Sequence, residues 1–431
     1  MKICVVGLGK IGLPLAVQYA TKGHDVIGAD INRETVELVN AGREPFPGEA
    51  HLAELLEAVI SEGRLRATTD TSWAVSQSDA VVIVVPLFVD ADARPDFKSM
   101  DEATRAVAAG LVAGTLVSYE TTLPVGTTRA RYAPMLGDIS GLLPGRDFFL
   151  VFSPERVLTG RVFADLRKYP KLVGGIDEIS ERRGVAFYEA VLDFDERLDL
   201  PRPNGVWAMG SAEAAEMAKL AETTYRDVNI GLANQFARFA DAGGIDVYAV
   251  IEACNSQPFS HIHQPGIAVG GHCIPIYPRL YLHNDPDATI VRAAREANAQ
   301  MPEYAVGLLE AKLGELSGLR VAVLGASYRG GVKETAFSGV FPVVDALRRR
   351  HSLVFVHDRL YTDAELKSFG WEPYHLGQPI DSVVIQADHP EYASLRLNQI
   401  PGTRIVIDGR RVASLELNAE VPVITIGWGG T

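Results

Sequence analysis

The stretch KICVVGLGKIGLPLAVQYATKGHDVIGAD, residues 2–30, decides the fold. Lys2 to Val6 is an apolar run of strand length, Gly7 to Gly12 a turn, Leu13 to Lys22 a helix and His24 to Asp30 a second strand, which together make one βαβ unit. Gly7-Leu8-Gly9-Lys10-Ile11-Gly12 has the G-x-G-x-x-G spacing, and its place after a strand and before a helix turns a weak pattern into a strong one. A pyrophosphate is expected to rest on the helix N-terminus that this turn opens. Asp30 closes the second strand, where a carboxylate accepts hydrogen bonds from an adenosine ribose diol and repels a 2′-phosphate, so NAD is favoured over NADP. Arg33 argues the other way, because a nearby arginine can accommodate a 2′-phosphate. The plainer reading of the glycines is tight turns alone.

Outward from this unit the same alternation continues. Ala80 to Val85, Thr115 to Tyr119 and Phe148 to Phe152 are β-branched or aromatic runs between amphipathic helical stretches, which implies parallel strands. Val85 and Pro86, at the end of the first of these runs, join the expected cofactor contacts. Ser211 to Asp241 reads as one long helix capped by Ser211, with Glu213 and Glu216 in its first turns and Gly231 as an interruption. Such a helix serves either as a spine and homodimer contact or as a plain buried helix. Beyond a helical connector from Pro302 to Leu316, strands at Arg320–Leu324, Leu353–His357, Val383–Gln386 and Arg404–Ile407 and a helix at Phe341–Arg350 make a second doubly wound segment. The expected architecture is α/β, with two doubly wound Rossmann-like domains, residues 1–205 and 301–431, joined through a central helical domain, residues 206–300, built on the long helix.

The bulk numbers agree with several domains and exclude some classes. At 431 residues the chain exceeds what a single core holds. A formal charge of −13 argues against nucleic-acid binding. Cys4, Cys254 and Cys273 are odd in number and show no paired spacing, which gives a disulfide framework or a metal site no support and fits a reducing cytoplasm. The apolar N-terminal run reads as mature structure rather than a signal peptide, since its glycines follow a strand-turn-helix pattern. The longest apolar stretch, Ala80 to Val89, is broken by Pro86 and far too short to span a bilayer.

Four places carry chemistry. Cys273 lies in Pro265-Gly266-Ile267-Ala268-Val269-Gly270-Gly271-His272-Cys273-Ile274-Pro275, where Gly266, Gly270 and Gly271 let a substrate approach and His272 can favour the thiolate. Beside a dinucleotide fingerprint, that thiol points to oxidation through a covalent sulfur adduct; the bland alternative is a buried small hydrophobe. Thr122, in Glu120-Thr121-Thr122-Leu123-Pro124-Val125-Gly126-Thr127-Thr128, sits at a strand's C-terminal end and can orient a water or contact the nicotinamide. Ser153-Pro154-Glu155-Arg156 follows another strand and offers Glu155 as a general base, or else a surface carboxylate without a role. Lys219, Thr223 and Arg226 share one face of the long helix and can stabilise an oxyanion and hold a phosphate or uronate; the alternative is a solvated charged face with a Glu222–Arg226 pair.

These residues resemble the UDP-glucose/GDP-mannose dehydrogenase family, the nucleoside-diphosphate-sugar 6-dehydrogenases, over the whole chain. The motifs are GLGKIGLP, ETTLPVGTT, SPERVL, AKLAETTYRDVNI, GGHCIP and LGASYRGGVKET, in that order. The resemblance implies that a C6 alcohol is oxidised by NAD to an aldehyde, which Cys273 captures as a thiohemiacetal. A second NAD oxidises the adduct to a thioester, and water releases the uronate. It also implies Glu155 as hydrolytic base, Thr122 as the water-holding threonine, Lys219 as the oxyanion partner and Thr223 in the same network. Glu155, Arg156, Lys219, Arg226, Gly266, Gly270, Tyr328 and Arg329 are then substrate contacts.

The chain departs from the family at Thr223, often Asn, at Tyr277, often Asp, at Thr159, a second Glu in glucose-oxidising members, at Arg329, often Lys, and at Ala336, often Arg. The Gly-His-Cys triplet and the SPER motif are more similar to the branch acting on UDP-N-acetylhexosamines, with UDP- or TDP-glucose as the other candidates. Two rival readings stand beside this one: a two-electron dehydrogenase of a small hydroxy acid in which Cys273 only packs, and a catalytically inactive NAD or nucleotide-sugar sensor.

Overall fold

The computed structural model describes residues 1–90 and 94–429. The chain separates into two compact units, Met1–Ala221 and Glu222–Thr431. Among the described residues, the first unit holds an eight-stranded sheet in the order Val206–Ala208, Lys171–Gly175, Phe149–Phe152, Leu116–Tyr119, Ala80–Ile83, Lys2–Val6, Asp25–Ala29, Leu65–Thr68. The strand order reverses between Lys2–Val6 and Ala80–Ile83, and a doubly wound sheet opens its ligand crevice at such a point. Cys4 is fully buried in the first strand, and burial pushes its thiol up to about 12, which makes it an inert packing group.

One neighbour pair departs from the all-parallel expectation. Lys171–Gly175 runs antiparallel to Phe149–Phe152, with Gly175 opposite Val151 and Gly174 opposite Phe152. The connection, which carries only the seven-residue helix Val162–Lys168, turns the chain back at the same edge. Continuing that register sets Lys171 opposite Glu155, at the sheet edge where ligands bind; a parallel strand would have started at the opposite edge.

In the second unit the sheet is wholly parallel, in the order Glu372–Pro373, Leu353–His357, Arg320–Leu324, Ser382–Ile385, Val406–Asp408, Val423–Thr425. Numbered within the unit this is 3-2-1-4-5-6, the doubly wound order of dinucleotide-binding folds. One apolar core joins Ala237, Ala240, Val247, Ile251 and Ile267 to Met301, Val306, Val323 and Val343. The later part of the long helix and the Cys273 loop therefore belong to the same unit as the second sheet.

The long helix, Ala212–Gly243, runs 32 residues. Ser211 caps it, its Oγ accepting from the Ala214 amide at 3.1 Å. Gly231 does not interrupt it. A Cβ there would stand 3.1 Å from the Ala294 Cα and carbonyl oxygen, so the glycine lets the Thr289–Ala299 helix cross at close range. Among the described residues no helix is long and apolar enough to cross a membrane, and no group of side chains is placed to hold a metal ion.

Candidate active site

The first unit builds the dinucleotide turn by backbone geometry. Gly7 adopts φ +93°, a conformation side chains resist, and donates its amide to the Ala29 carbonyl at 2.8 Å. A Cβ on Gly12 would stand 1.8 Å from the Gly7 carbonyl oxygen, so only glycine permits the helix to start so close to the strand. A Cβ on Gly9 would meet nothing within 4 Å, which leaves open room beside the turn. Lys10 is exposed and Ile11 half-buried next to it. Asp30 accepts from the Leu8 amide through Oδ2 at 2.7 Å and from the Asn32 amide through Oδ1 at 2.8 Å. A carboxylate offers about four acceptor positions, so two amides leave capacity for a ribose diol.

Those features fit a bound NAD: the open space at Gly9, the helix start and the half-buried carboxylate are the donor and acceptor set that a pyrophosphate and a ribose need. Ile31, 95% exposed beside Asp30, adds an apolar surface that sequence reasoning passed over; its signal was an isoleucine at a strand end where polar residues are usual. Arg33 is exposed at the start of the Arg33–Asn40 helix. Val85 is half-buried, its carbonyl accepting from Thr121 Oγ1 at 2.7 Å, and Pro86 is exposed. Thr122, one residue on, is buried.

Glu155 stands on a charged cluster that the sequence did not announce. Lys171 Nζ donates to Glu155 Oε2 at 2.9 Å and to Glu120 Oε2 at 2.7 Å. Glu120 Oε1 accepts from Tyr188 Oη at 2.6 Å and Tyr19 Oη at 3.3 Å. Burial pushes the Glu120 carboxyl up to about 7 against the pull of Lys171. Burial acts the same way on Glu155, but there the Lys171 ammonium and the Arg156 amide outweigh it and hold the group below the usual carboxylate range. The signal for Lys171 was a lysine opening an otherwise apolar strand, KLVGG, every residue of which is buried. Arg156 also donates to the Pro170 carbonyl at 3.2 Å.

On the long helix, Lys219 and Thr223 are buried and Arg226, further along the same face, is exposed. Glu216, also buried, accepts from the amides of Gly126 at 2.5 Å and Thr128 at 2.9 Å, which fastens the turn after Thr122. Burial pushes Glu216 up to about 7 despite those donors.

In the second unit the Cys273 loop is held at both flanks. The Gly266 amide donates to Asn234 Oδ1 at 2.9 Å, and the Ile267 amide to the Gly409 carbonyl at 3.0 Å. Asn234 is linked through Asn298 to Asp227, which pairs with Arg295 at 2.6 Å, and Arg295 reaches the Ile274 carbonyl at 3.4 Å. Cys273 is half-buried, and its carbonyl accepts from the Tyr277 amide at 2.9 Å as the Tyr277–Asn284 helix begins. The His272 ring lies 3.4 Å from the Glu334 carboxylate. Gly270 is required by packing: a Cβ there would meet Tyr328 Cβ at 2.6 Å and the Phe337 carbonyl oxygen at 2.9 Å. The Gly271 amide donates to the Ala336 carbonyl at 2.8 Å, so at this position the backbone carries the contact. Tyr328 is half-buried and Arg329 exposed on the same turn. Arg410, which sequence reasoning missed, donates to the Gln386 carbonyl at 2.7 Å and lies beside Gly266.

The turn that carries Tyr328 rests on Asp358. Its Oδ2 accepts from the amides of Ala326 and Ser327 and from His389 Nε2 at 2.9–3.0 Å, and its Oδ1 from the Leu360 amide at 2.9 Å. The Gly331 amide lies 3.3 Å from His389 Nδ1, which assigns the ring proton to Nε2. Burial works upward on Asp358, yet His389 and the amides outweigh it and hold the carboxyl at about 2.

The chain matches three sequence profiles of the UDP-glucose/GDP-mannose dehydrogenase family: its NAD binding domain over residues 1–192, its central domain over 213–300 and its UDP binding domain over 322–414. A UDP-N-acetyl-D-mannosamine dehydrogenase of Pyrococcus horikoshii is 36% identical over 430 residues, covering 96% of each chain. The solved structure of the UDP-D-ManNAc dehydrogenase from Pyrococcus horikoshii superposes with a TM-score of 0.87 at 33% identity and full coverage of both chains. A UDP-glucose dehydrogenase from Pyrobaculum islandicum gives 0.87 at 28% identity, covering 100% of this chain and 98% of its own.

Proposed function

Since the chain belongs to the UDP-glucose/GDP-mannose dehydrogenase family and is an NAD-dependent nucleotide-sugar dehydrogenase, we propose that its substrate is a UDP-N-acetylhexosamine, oxidised at C6 by four electrons to the uronic acid. The observation that carries the covalent route is Cys273, a half-buried thiol on a loop fastened at both flanks by Asn234 and Arg295. A packing cysteine needs no such scaffold. The relatives named for UDP-N-acetyl-D-mannosamine support the acetamido sugar, as does the Gly-His-Cys triplet.

NAD, one molecule for each of the two oxidations, would supply the hydride acceptor and would be held by Gly7, Gly9, Lys10, Ile11, Gly12, Asp30, Val85, Pro86 and Thr122, with Arg33 and Ile31 at the adenosine end. Cys273 forms an S–C bond to the aldehyde carbon and keeps that carbon on the protein until it has the oxidation state of an acid. Lys219, with Thr223, donates to the oxygen that becomes negative. Glu155 takes a proton from the water that attacks the thioester carbon, Thr122 orients that water, and cleavage of the S–C bond returns the Cys273 thiol with release of the uronate. Arg226, Arg156, Tyr328, Arg329, Gly266 and Gly270 contact the nucleotide sugar.

The expected product ratio is two NADH per sugar, and Cys273→Ser is expected to stop uronate formation while nucleotide-sugar binding persists. A measured ratio of one, or an unimpaired Cys273→Ser enzyme, refutes the covalent route in favour of a two-electron dehydrogenase. We further propose a cytoplasmic homodimer through the long helix, on which Tyr225, Leu232, Phe236 and Phe239 form an exposed stripe at alternating spacings of three and four, with Asn229 between. Equilibrium sedimentation reads that assembly directly.

A further inference from the structure

A buried ammonium shared between two carboxylates is an expensive arrangement. Lys171 is 4% exposed, Glu120 1%, and the Glu155 side chain 11%. Lys171 spends its donors on Glu120 and Glu155, and its Nζ also lies 4.8 Å from the centre of the Tyr188 ring. The cluster faces inward from several elements. Tyr19 comes from the Gly12–Thr21 helix, Tyr188 from the Glu178–Val191 helix, with its Oη 2.7 Å from Ser118 Oγ, and Arg156 adjoins Glu155 in the chain. The strand reversal sets Lys171 at the edge that carries Glu155.

Replacing such an ion triad by apolar groups commonly leaves stability unchanged or raised, so stability alone does not explain it. With one cation between two anions, each carboxylate receives only part of the ammonium's stabilisation, and the proton affinity of one depends on the charge of the other. Raised Glu120 and lowered Glu155 are the signature of that division.

We infer that Lys171 and Glu120 are positioning residues for Glu155: Lys171 keeps it an oriented carboxylate, and Glu120, by competing for the same ammonium, keeps it basic enough to take a proton from water. This rests on the reading of Glu155 as the hydrolytic base.

The test uses the intact enzyme with NAD and a UDP-N-acetylhexosamine, following the acid limb of kcat against pH and, by rapid quench and intact mass, the fraction of protein carrying the sugar acyl group. Glu120→Gln hands the whole ammonium to Glu155. The acid limb is expected to move down by about one pH unit, kcat at the plateau to fall, and acyl-enzyme to accumulate. Lys171→Met removes the cation, and the acid limb moves the other way by a similar amount, while Lys171→Arg restores the parent profile. Merely structural residues would lower kcat in both variants without displacing the limb in opposite directions. If Lys171→Met does not fold, the downward displacement in Glu120→Gln and the rescue by Lys171→Arg decide the matter. An unmoved limb with acyl-enzyme visible overturns this inference alone; no acyl-enzyme in any variant or in the parent overturns the covalent route itself.

Discussion

Asp358 offers the most quantitative test of how the second unit holds the turn that carries Tyr328. The carboxyl is lowered from an ordinary 3.8 to about 2, a difference that, at about 1.4 kcal/mol per pH unit, corresponds to roughly 2 kcal/mol of folded-state stabilisation. Asp358→Asn removes that term. Its amide oxygen can still accept from Ala326, Ser327 and His389, but its NH2 group then faces the Leu360 amide, donor against donor. A buried donor left in that state costs about 1–3 kcal/mol. The expected loss is therefore about 3–5 kcal/mol at pH 7, a large share of a domain's usual margin of about 5–15 kcal/mol. The pH dependence has a definite sign. A depressed carboxyl contributes above the unfolded value near 3.8 and its contribution disappears as pH falls toward 2. The deficit of the variant should shrink as the medium is acidified through that window. Urea unfolding followed by fluorescence of Trp371, buried in the same unit, measures it. A variant within 1 kcal/mol of the parent at pH 7 would falsify the account of Asp358 as the anchor of this turn.

Two further substitutions probe the Cys273 loop. Gly270→Ala places a methyl group 2.6 Å from Tyr328 Cβ and 2.9 Å from a backbone oxygen, and neither neighbour is the end of a flexible chain. The loop must shift, and a displacement near 1 Å is expected to lower kcat by about 100-fold with folding retained, as read by steady-state kinetics beside circular dichroism. Asn234→Leu leaves the Gly266 amide and Asn298 without their buried partner, a loss of about 1–3 kcal/mol in thermal unfolding together with faster alkylation of Cys273 by iodoacetamide. Unchanged alkylation would show that Asn234 does not hold the loop.

The parts of the molecule that local chemistry dictates were legible in advance. The glycine turn needs its backbone conformation, Asp30 needs its strand end, and the long helix shows its cap and period, so each left a mark within a few residues. Gly231 misled because glycine in a helix weakens it when considered locally; only the neighbouring Ala294 explains its presence. The reversed strand Lys171–Gly175 left no mark, since an apolar run reads alike in either direction and the reversal depends on how a seven-residue helix returns the chain. Glu120, Lys171, Asn234 and Arg295 were hidden for the same reason. Their partners lie between 16 and 101 residues away, and no spacing rule connects them.

The two sheets also show one device put to two uses. In the first unit Gly7 donates to Ala29 and the next amide, Leu8, to the strand-end carboxylate Asp30; in the second Gly325 donates to His357 and the next amide, Ala326, to the strand-end carboxylate Asp358. The difference lies in what covers the carboxylate. Asp30 is half-buried and backed only by amides, which leaves acceptor capacity for a ribose. Asp358 is sealed under His389, fully buried, with three donors on one oxygen. A sugar diol has no route to a carboxylate so occupied, and we propose that a nucleotide in the second unit is recognised instead by Tyr328 and Arg329 on the turn and by Arg410, which donates to the Tyr328 carbonyl at 3.3 Å. One buried histidine thus separates a dinucleotide-binding turn from its structural twin, although both sequences open on a strand, a glycine and an aspartate at matching places.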